Sequence, residues 1–286
     1  MTGPDAPIRD IADTAWWTAV YRARETDRKD ALFRDPFARR LAGARGAEIA
    51  DAAERQKKSE WSMAARTFLF DELILEHVGR GADMVVNLAA GLDARPYRLS
   101  LPSSLIWVEV DLPDLLEYKA DVLADEKPAC VLERTPLDLS DAAARRDLFE
   151  RLGRRAARPL IVSEGLLIYL AAEAVGALAR DLAAAPRFQT WILDLVSPGL
   201  LRLMRKNLGE QLANAGAPLE FGPEQGPAFF APYGWKAVDV RSLLKVGARS
   251  GRLPLLMRLL AMFPEPTERL GSRPWSGVCV VEKNPR

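Results

Sequence analysis

Apolar residues return at three- and four-residue spacing through Ala15, Trp16, Ala19 and Val20, and again through Phe68, Leu69, Leu73 and Leu75. That is the period of a helix with one buried stripe, and it predicts helices across residues 8–80. Between the stripes, Pro36 stands where a helix can start and Gly43 where one can stop. From residue 83 the pattern changes. Short apolar runs (Met84 to Ala89, Leu105 to Val110, Cys130 to Leu132, Leu160 to Val162, Thr190 to Val196) alternate with helical stretches such as Leu112 to Leu123 and Ala171 to Leu182. Strands alternating with helices predict an α/β fold, a parallel sheet covered on both faces. Two later runs, Trp235 to Val240 and Val278 to Val281, add strands. Ser197 to Tyr233, rich in Gly and Pro and carrying Phe221, Phe229 and Phe230, reads as a lid inserted over the sheet's end. Leu253 to Phe263, interrupted by Pro254 and Arg258, reads as a core-facing helix too short to span a bilayer.

Composition narrows the classes. A chain of 286 residues, 49% hydrophobic and 28% charged, suits one large α/β domain. Lys plus Arg number 40 against 39 Asp plus Glu, without the basic excess of a nucleic-acid footprint. The Arg145-Arg146 and Arg154-Arg155 pairs stand beside acids and read as solvated surface. Cys130 and Cys279 lie in apolar runs without CxxC spacing, which fits a reducing cytoplasm and excludes a disulfide framework. The first residues lack a basic head followed by an apolar core, so the expected location is cytoplasmic, with no membrane partner. His77 is the sole histidine. Zinc hydrolase sites that need two are excluded. A Ser-His-Asp triad lacks its GxSxG elbow, and His77 reads as a partly exposed helix residue.

Ligands of an open parallel sheet bind beyond the carboxyl ends of its strands. Ala89, Ala90 and Gly91 after the first strand let a ligand approach the backbone. Asp111, 20 residues beyond Gly91, ends the second strand at the spacing of a ribose-binding acid. Asp138 follows the third strand, Glu164 the fourth, and Asp194 lies in the fifth. Together these point to a nucleoside cofactor. The loop lacks GxGxxG and a Walker A motif, and Asp93 would set a negative charge beside a phosphate. Acids at several strand ends suit S-adenosylmethionine (SAM), which has a sulfonium and no phosphate, better than NAD or ATP.

Six stretches then carry a resemblance. Residues 85–99 (VVNLAAGLDARPYRL) resemble the signature of the leucine carboxyl methyltransferase-like family, including its bacterial O-methyltransferases of polyketide and other secondary metabolism. Residues 22–38 (RARETDRKDALFRDPFA), 109–113 (EVDLP), 137–140 (LDLS), 163–170 (SEGLLIYL) and 231–235 (APYGW) resemble the family's other motifs, in order. The resemblance implies a seven-stranded, mostly parallel class I SAM-methyltransferase sheet in a single domain, residues 1–286. Residues 1–80 would form a helical cover, 81–196 and 234–286 the Rossmann-like core, and 197–233 the lid. It implies that Arg66 holds the methionine carboxylate of SAM, that Gly91 lies beneath that tail, and that Asp111, with Leu112 beside it, takes the ribose. Asp138 and Leu139 would flank adenine, and Glu164 would sit near the methionine end. Ala89 stands where the family usually has glycine, and its methyl group would narrow the approach to the loop.

Other readings of the same residues stand beside these. Arg66 could pair with Asp71 or Glu72 on its own helix, and Asp93 with Arg95 as a loop-shaping ion pair. Asp138 or Ser140 could cap the next helix. Trp16, Trp17 and Tyr21 are candidates for the acceptor pocket, with a helix-packing stripe as the alternative, and Tyr169 is a candidate with core or pocket wall as its alternative. The expected activity is SAM-dependent O-methylation of a small molecule, giving S-adenosylhomocysteine (SAH), with no metal. A carboxylate acceptor is favoured over a phenolic hydroxyl, because a carboxylate is already ionised and the chain offers one imidazole. A protein C-terminal carboxyl methyltransferase and a non-catalytic SAM-binding protein remain as alternatives. The sequence leaves the oligomeric state open.

Overall fold

The computed structural model describes residues 12–52, 60–263 and 270–284. The helical expectation for residues 8–11 and 53–59 falls outside them. Three helices come first: α1 (Asp13–Thr26), α2 (Ala38–Ala52) and α3 (Glu60–Gly79). Gly43, at φ 53° and ψ −159°, interrupts the helical backbone where a stop is expected, so α2 is two helical segments joined across a kink. The alternating part follows as β1 (Met84–Leu88), α4 (Arg95–Arg98), β2 (Ile106–Asp111), α5 (Pro113–Val122), β3 (Val131–Pro136), α6 (Ala142–Arg155), β4 (Pro159–Ser163), α7 (Ala172–Ala184) and β5 (Thr190–Val196). Then come α8 (Pro198–Asn214), β6 (Trp235–Ser242), α9 (Leu243–Arg249), α10 (Leu255–Leu260) and β7 (Ser276–Lys283).

The seven strands form one sheet in the order β3-β2-β1-β4-β5-β7-β6. β1 to β5 pair in parallel, and β7 enters antiparallel between β5 and β6. Every residue of β1 and β4 is buried, which is why both read as unbroken apolar runs. β3 is longer than its apolar run because it lies at the sheet's edge, where Glu133, Arg134 and Thr135 meet solvent on one side. Trp107, Trp191 and Trp235 are the largest fully buried side chains. Trp191 donates its indole N–H to Ser163 Oγ and Trp235 to the Ala179 carbonyl, each at 2.9 Å, so these two rings are buried with their N–H groups satisfied, whereas the Trp107 N–H is buried without a partner. Glu109, inside β2, meets Lys119 of α5 at 2.5 Å and Arg134 of β3 at 3.1 Å. This ion pair ties α5 to the strand that ends in Asp111.

Within residues 197–233, α8 fills the first half, and Phe221 and Phe230 are buried in the main core. One expectation is corrected. Leu253 to Phe263 is not core-facing. Leu253 is buried, but Pro254 starts a separate short helix on the surface, with Leu255, Leu256, Leu259, Leu260 and Phe263 exposed.

Candidate functional site

The parallel strands end on one side, and their last residues line a cavity of about 1550 Å³. The loop after β1 opens it. Ala89 and Gly91 both take left-handed φ, 52° and 51°. For Ala89 that conformation costs about 1–2 kcal/mol relative to glycine, so the alanine alters the loop through backbone strain as well as bulk. Gly91 donates its N–H to Asp111 Oδ2 at 2.6 Å, and Leu112 donates to Oδ1 at 2.7 Å. The acid after β2 is thereby locked against the turn after β1. Burial pushes its carboxyl above the usual range, with these two N–H groups opposing. Arg22 of α1 holds the loop from above, donating to the Leu92 carbonyl at 2.7 Å and to Asp35 at 3.0 Å.

Beneath the loop lies a chain of buried charges. Arg95 contacts Asp71 at 2.6 Å, Asp93 at 2.9 Å and Glu164 at 2.8 Å. Asp93 also accepts from Asn87 at 2.9 Å, and Asp71 from both terminal nitrogens of Arg98 at 2.7 Å. Arg66 reaches the other Glu164 oxygen at 3.0 Å and Asp194 at 3.4 Å. Asp194 accepts the Gly165 N–H at 2.7 Å. Burial would raise the Glu164 carboxyl, but Arg95 and Arg66 overcome it and hold it below the ordinary range. At Asp194 burial wins over Arg66, and the carboxyl is raised.

All eleven predicted site residues line this cavity: Arg66, Ala89, Gly91, Asp111, Leu112 and Glu164, together with Asp138, Leu139, Trp17, Tyr21 and Tyr169. Arg66 pairs with neither Asp71 nor Glu72, whereas the Asp93–Arg95 pair does form. Neither Asp138 nor Ser140 caps α6. Asp141 does, accepting from Ala143 and Ala144 at 3.0 Å, while Asp138 accepts the Ser140 N–H at 2.8 Å. The stripe on α1 divides. Trp16 packs on Tyr118, ring centroids 5.1 Å apart, while Trp17 and Tyr21 face the cavity, 5.8 Å apart. Burial raises the Tyr21 hydroxyl to about 12 and the Tyr169 hydroxyl above its usual value, so both stay protonated donors at neutral pH. His77 sits half-buried in the last turn of α3 and is not among the lining residues.

Asp194 was legible as a strand-end acid but not as the partner of Arg66, which lies 128 residues away. Apolar wall from Trp61, Met204, Leu243, Met257 and Trp275 was not anticipated. The cavity exceeds the roughly 300–1,000 Å³ typical of one drug-sized ligand, which leaves room for two molecules.

Comparison with known proteins gives the following. The family profile described as leucine carboxyl methyltransferase matches residues 15–183. A Mycobacteroides abscessus protein is 37% identical over 205 residues, 64% of this chain and 67% of that protein. A Frankia alni protein is 34% identical over 277 residues, 88% of this chain and 92% of that protein. Both carry the name "Putative S-adenosyl-L-methionine-dependent methyltransferase". The crystal structure of a DUF574 family protein from Streptomyces avermitilis superposes with a TM-score of 0.60 at 15% identity, covering 94% of this chain and 97% of that one, a likeness of fold.

Proposed function

The chain belongs to the leucine carboxyl methyltransferase family and is a SAM-dependent methyltransferase, and on that premise we propose that it methylates an oxygen of a small molecule with a bulky apolar body. The observation that carries this reading is the row of acids Asp138 after β3, Asp111 at the end of β2, Glu164 after β4 and Asp194 within β5, with Arg66 among them, lining a cavity with room for two molecules. The residues fit SAM. Asp111 offers carboxylate oxygens to ribose hydroxyls, Leu139 an apolar cover and Asp138 an acceptor to adenine, and Glu164 an acid to the amino group. Arg66 offers a planar fork to the tail carboxylate. A pyrophosphate would meet the same acids unfavourably. The chemistry SAM supplies is a methyl group on a sulfonium that leaves as the neutral thioether of SAH. What this chain adds is alignment and a dry wall.

The test is calorimetric titration with SAM, SAH and NAD. SAM and SAH are expected to bind and NAD not to. Asp111→Ala is expected to weaken SAH by about 1.5–3 kcal/mol, the size of a hydrogen bond to a charged group. Binding of NAD alone would overturn the reading, and an unchanged Asp111→Ala affinity would reassign the ribose acid.

We read the acceptor oxygen as a carboxylate. Tyr21 and Tyr169, held protonated by burial, are donors suited to orienting a carboxylate and unsuited to removing a proton. We extend this reading to an acceptor from secondary metabolism, polyketides included, on the resemblance of residues 137–140 and 163–170 to bacterial versions of the family's motifs. One observation favours a second reading. Asp194 stands beyond Glu164 along the sheet, away from the adenine end, and burial makes it a better base than an ordinary aspartate, as a hydroxyl acceptor would require. The products differ. A methyl ester made at a rate flat between about pH 6 and 8, and cleaved by mild alkali, fits the carboxylate. An ether surviving alkali fits the hydroxyl.

A further inference from the structure

α10 turns its apolar side to solvent. Leu255 is 73% exposed, Leu256 70%, Leu259 50%, Leu260 55% and Phe263 66%. Leu255, Leu256, Leu259 and Leu260 stand at i, i+1, i+4 and i+5 on one side of the helix, and Met262, 79% exposed, and Phe263 follow just beyond its end. Water-facing apolar side chains in such number on one short element mark a contact surface. The stretch up to Phe263 is basic, and Glu265 and Glu268 follow outside the described residues. Residues 243–263 contain Lys245, Arg249, Arg252 and Arg258 and no acid. Arg252 is committed to Glu25, while Arg249 and Arg258 lie exposed beside the stripe. The same stretch reaches the cavity, since Leu243, Leu244 and Met257 line it.

The shape and charge decide among occupants. A second copy would need about 20–30 residues a side for a stable interface, and a helix of six residues offers less than two turns. A peptide partner needs a groove or a sheet edge, whereas these side chains stand exposed on one short helix. An exposed apolar helix carrying cations matches an anionic bilayer surface, where apolar side chains enter the headgroup boundary and cations meet lipid phosphates. Among the described residues no helix is long and apolar enough to cross a membrane, so the contact would be peripheral. We propose that α10 docks the protein on an anionic membrane surface, with the stripe in the acyl boundary and Arg249 and Arg258 at the headgroups. The cavity wall that holds Met257 then faces the apolar phase. Delivery of an apolar acceptor by this route rests on the function proposed above; the docking itself does not.

The experiment is flotation of the full-length protein with vesicles of phosphatidylcholine alone or mixed with phosphatidylglycerol. The expected result is co-flotation with the mixed vesicles, weakened by salt. The Leu255→Glu/Leu259→Glu double variant is expected to lower partitioning about tenfold or more, with SAH affinity and thermal midpoint unchanged. Arg249→Glu/Arg258→Glu, which leaves the apolar stripe intact, is expected to abolish the preference for phosphatidylglycerol. Absence of wild-type co-flotation, or equal partitioning by the first variant, overturns the proposal. A wild-type dimer that the first variant converts to monomer also overturns it, since a second copy then covers the stripe. SAH binding is read separately, so loss of docking and loss of the methyltransferase reading are distinguishable.

Discussion

Arg95→Met is expected to cost about 3–5 kcal/mol of folding stability, the penalty for breaking a buried ion pair from one side. Against a total of about 5–15 kcal/mol for a domain, that brings the protein near unfolding at ambient temperature. Arg95 is 2% exposed and contacts three carboxylates, those of Asp71, Asp93 and Glu164. Arg98 still serves Asp71 and Arg66 still serves Glu164, but Asp93 keeps only Asn87 and a backbone N–H. Arg95→Lys is expected to recover little, because one ammonium cannot span three acceptors in a fixed fork. The pH dependence checks the cause. In the wild type the Asp93 and Glu164 carboxyls are depressed, burial being outweighed by the arginines. Their contribution is therefore present above the unfolded carboxyl range of about 4 and is lost as pH falls below it. In Arg95→Met, burial without its counter-charge raises Asp93, so the sign reverses. The contribution of Asp93 is then greatest below about pH 4 and declines as pH rises toward its raised value. Urea midpoints compared between wild type and variant from about pH 3 to pH 8 read the difference in slope, and a variant midpoint equal to wild type throughout would show that the cluster carries no such energy.

The fold was legible wherever local sequence and tertiary burial agree. β1, β4 and β5 are apolar because both faces of a parallel strand are covered, and their runs lie within a residue of the observed bounds. β3 was read short because an edge strand has one wet face, and its polar residues hide the period. α10 was misread for the opposite reason. Apolar content signals burial only on average, and nothing local says that Leu255 and Leu256 point outward. The strand-end acids were legible because position after a strand is a property of the sequence. Their partners were not. Arg66 meets Glu164 across 98 residues and Asp194 across 128, and those pairings follow from β4 lying between β1 and β5. Ala89 was flagged for its methyl group, while its positive φ became visible only in the turn that Gly91 and Asp111 close.

Arg66→Ala is expected to weaken SAH binding by about 1.5–3 kcal/mol per lost charge-assisted bond, roughly tenfold or more for each, and Arg66→Lys is not expected to restore it. A helix-surface ion pair would predict almost no effect, because exposed pairs contribute little. Arg66, however, faces Glu164 and Asp194 inside the cavity wall, so loss of binding has two available causes. The variant removes a fork for the tail carboxylate, and it also leaves Asp194 without its cation. Asp194→Asn in the Arg66→Ala background separates them, since the amide removes the stranded charge while still accepting from Gly165 N–H. If the arginine only balances its acids, the double variant regains both stability and SAH affinity. If it holds the tail, stability returns and affinity does not. The single variant carries its own pH signature. Asp194 is raised by burial even with Arg66 beside it, and rises further without it. The contribution of this carboxyl to the stability of Arg66→Ala is then highest below its unfolded value near 4 and falls as pH rises toward the raised folded value. Wild-type SAH affinity in Arg66→Ala, or its full return in the double variant, would eliminate the clamp and leave Arg66 a charge-balancing residue of the cavity wall.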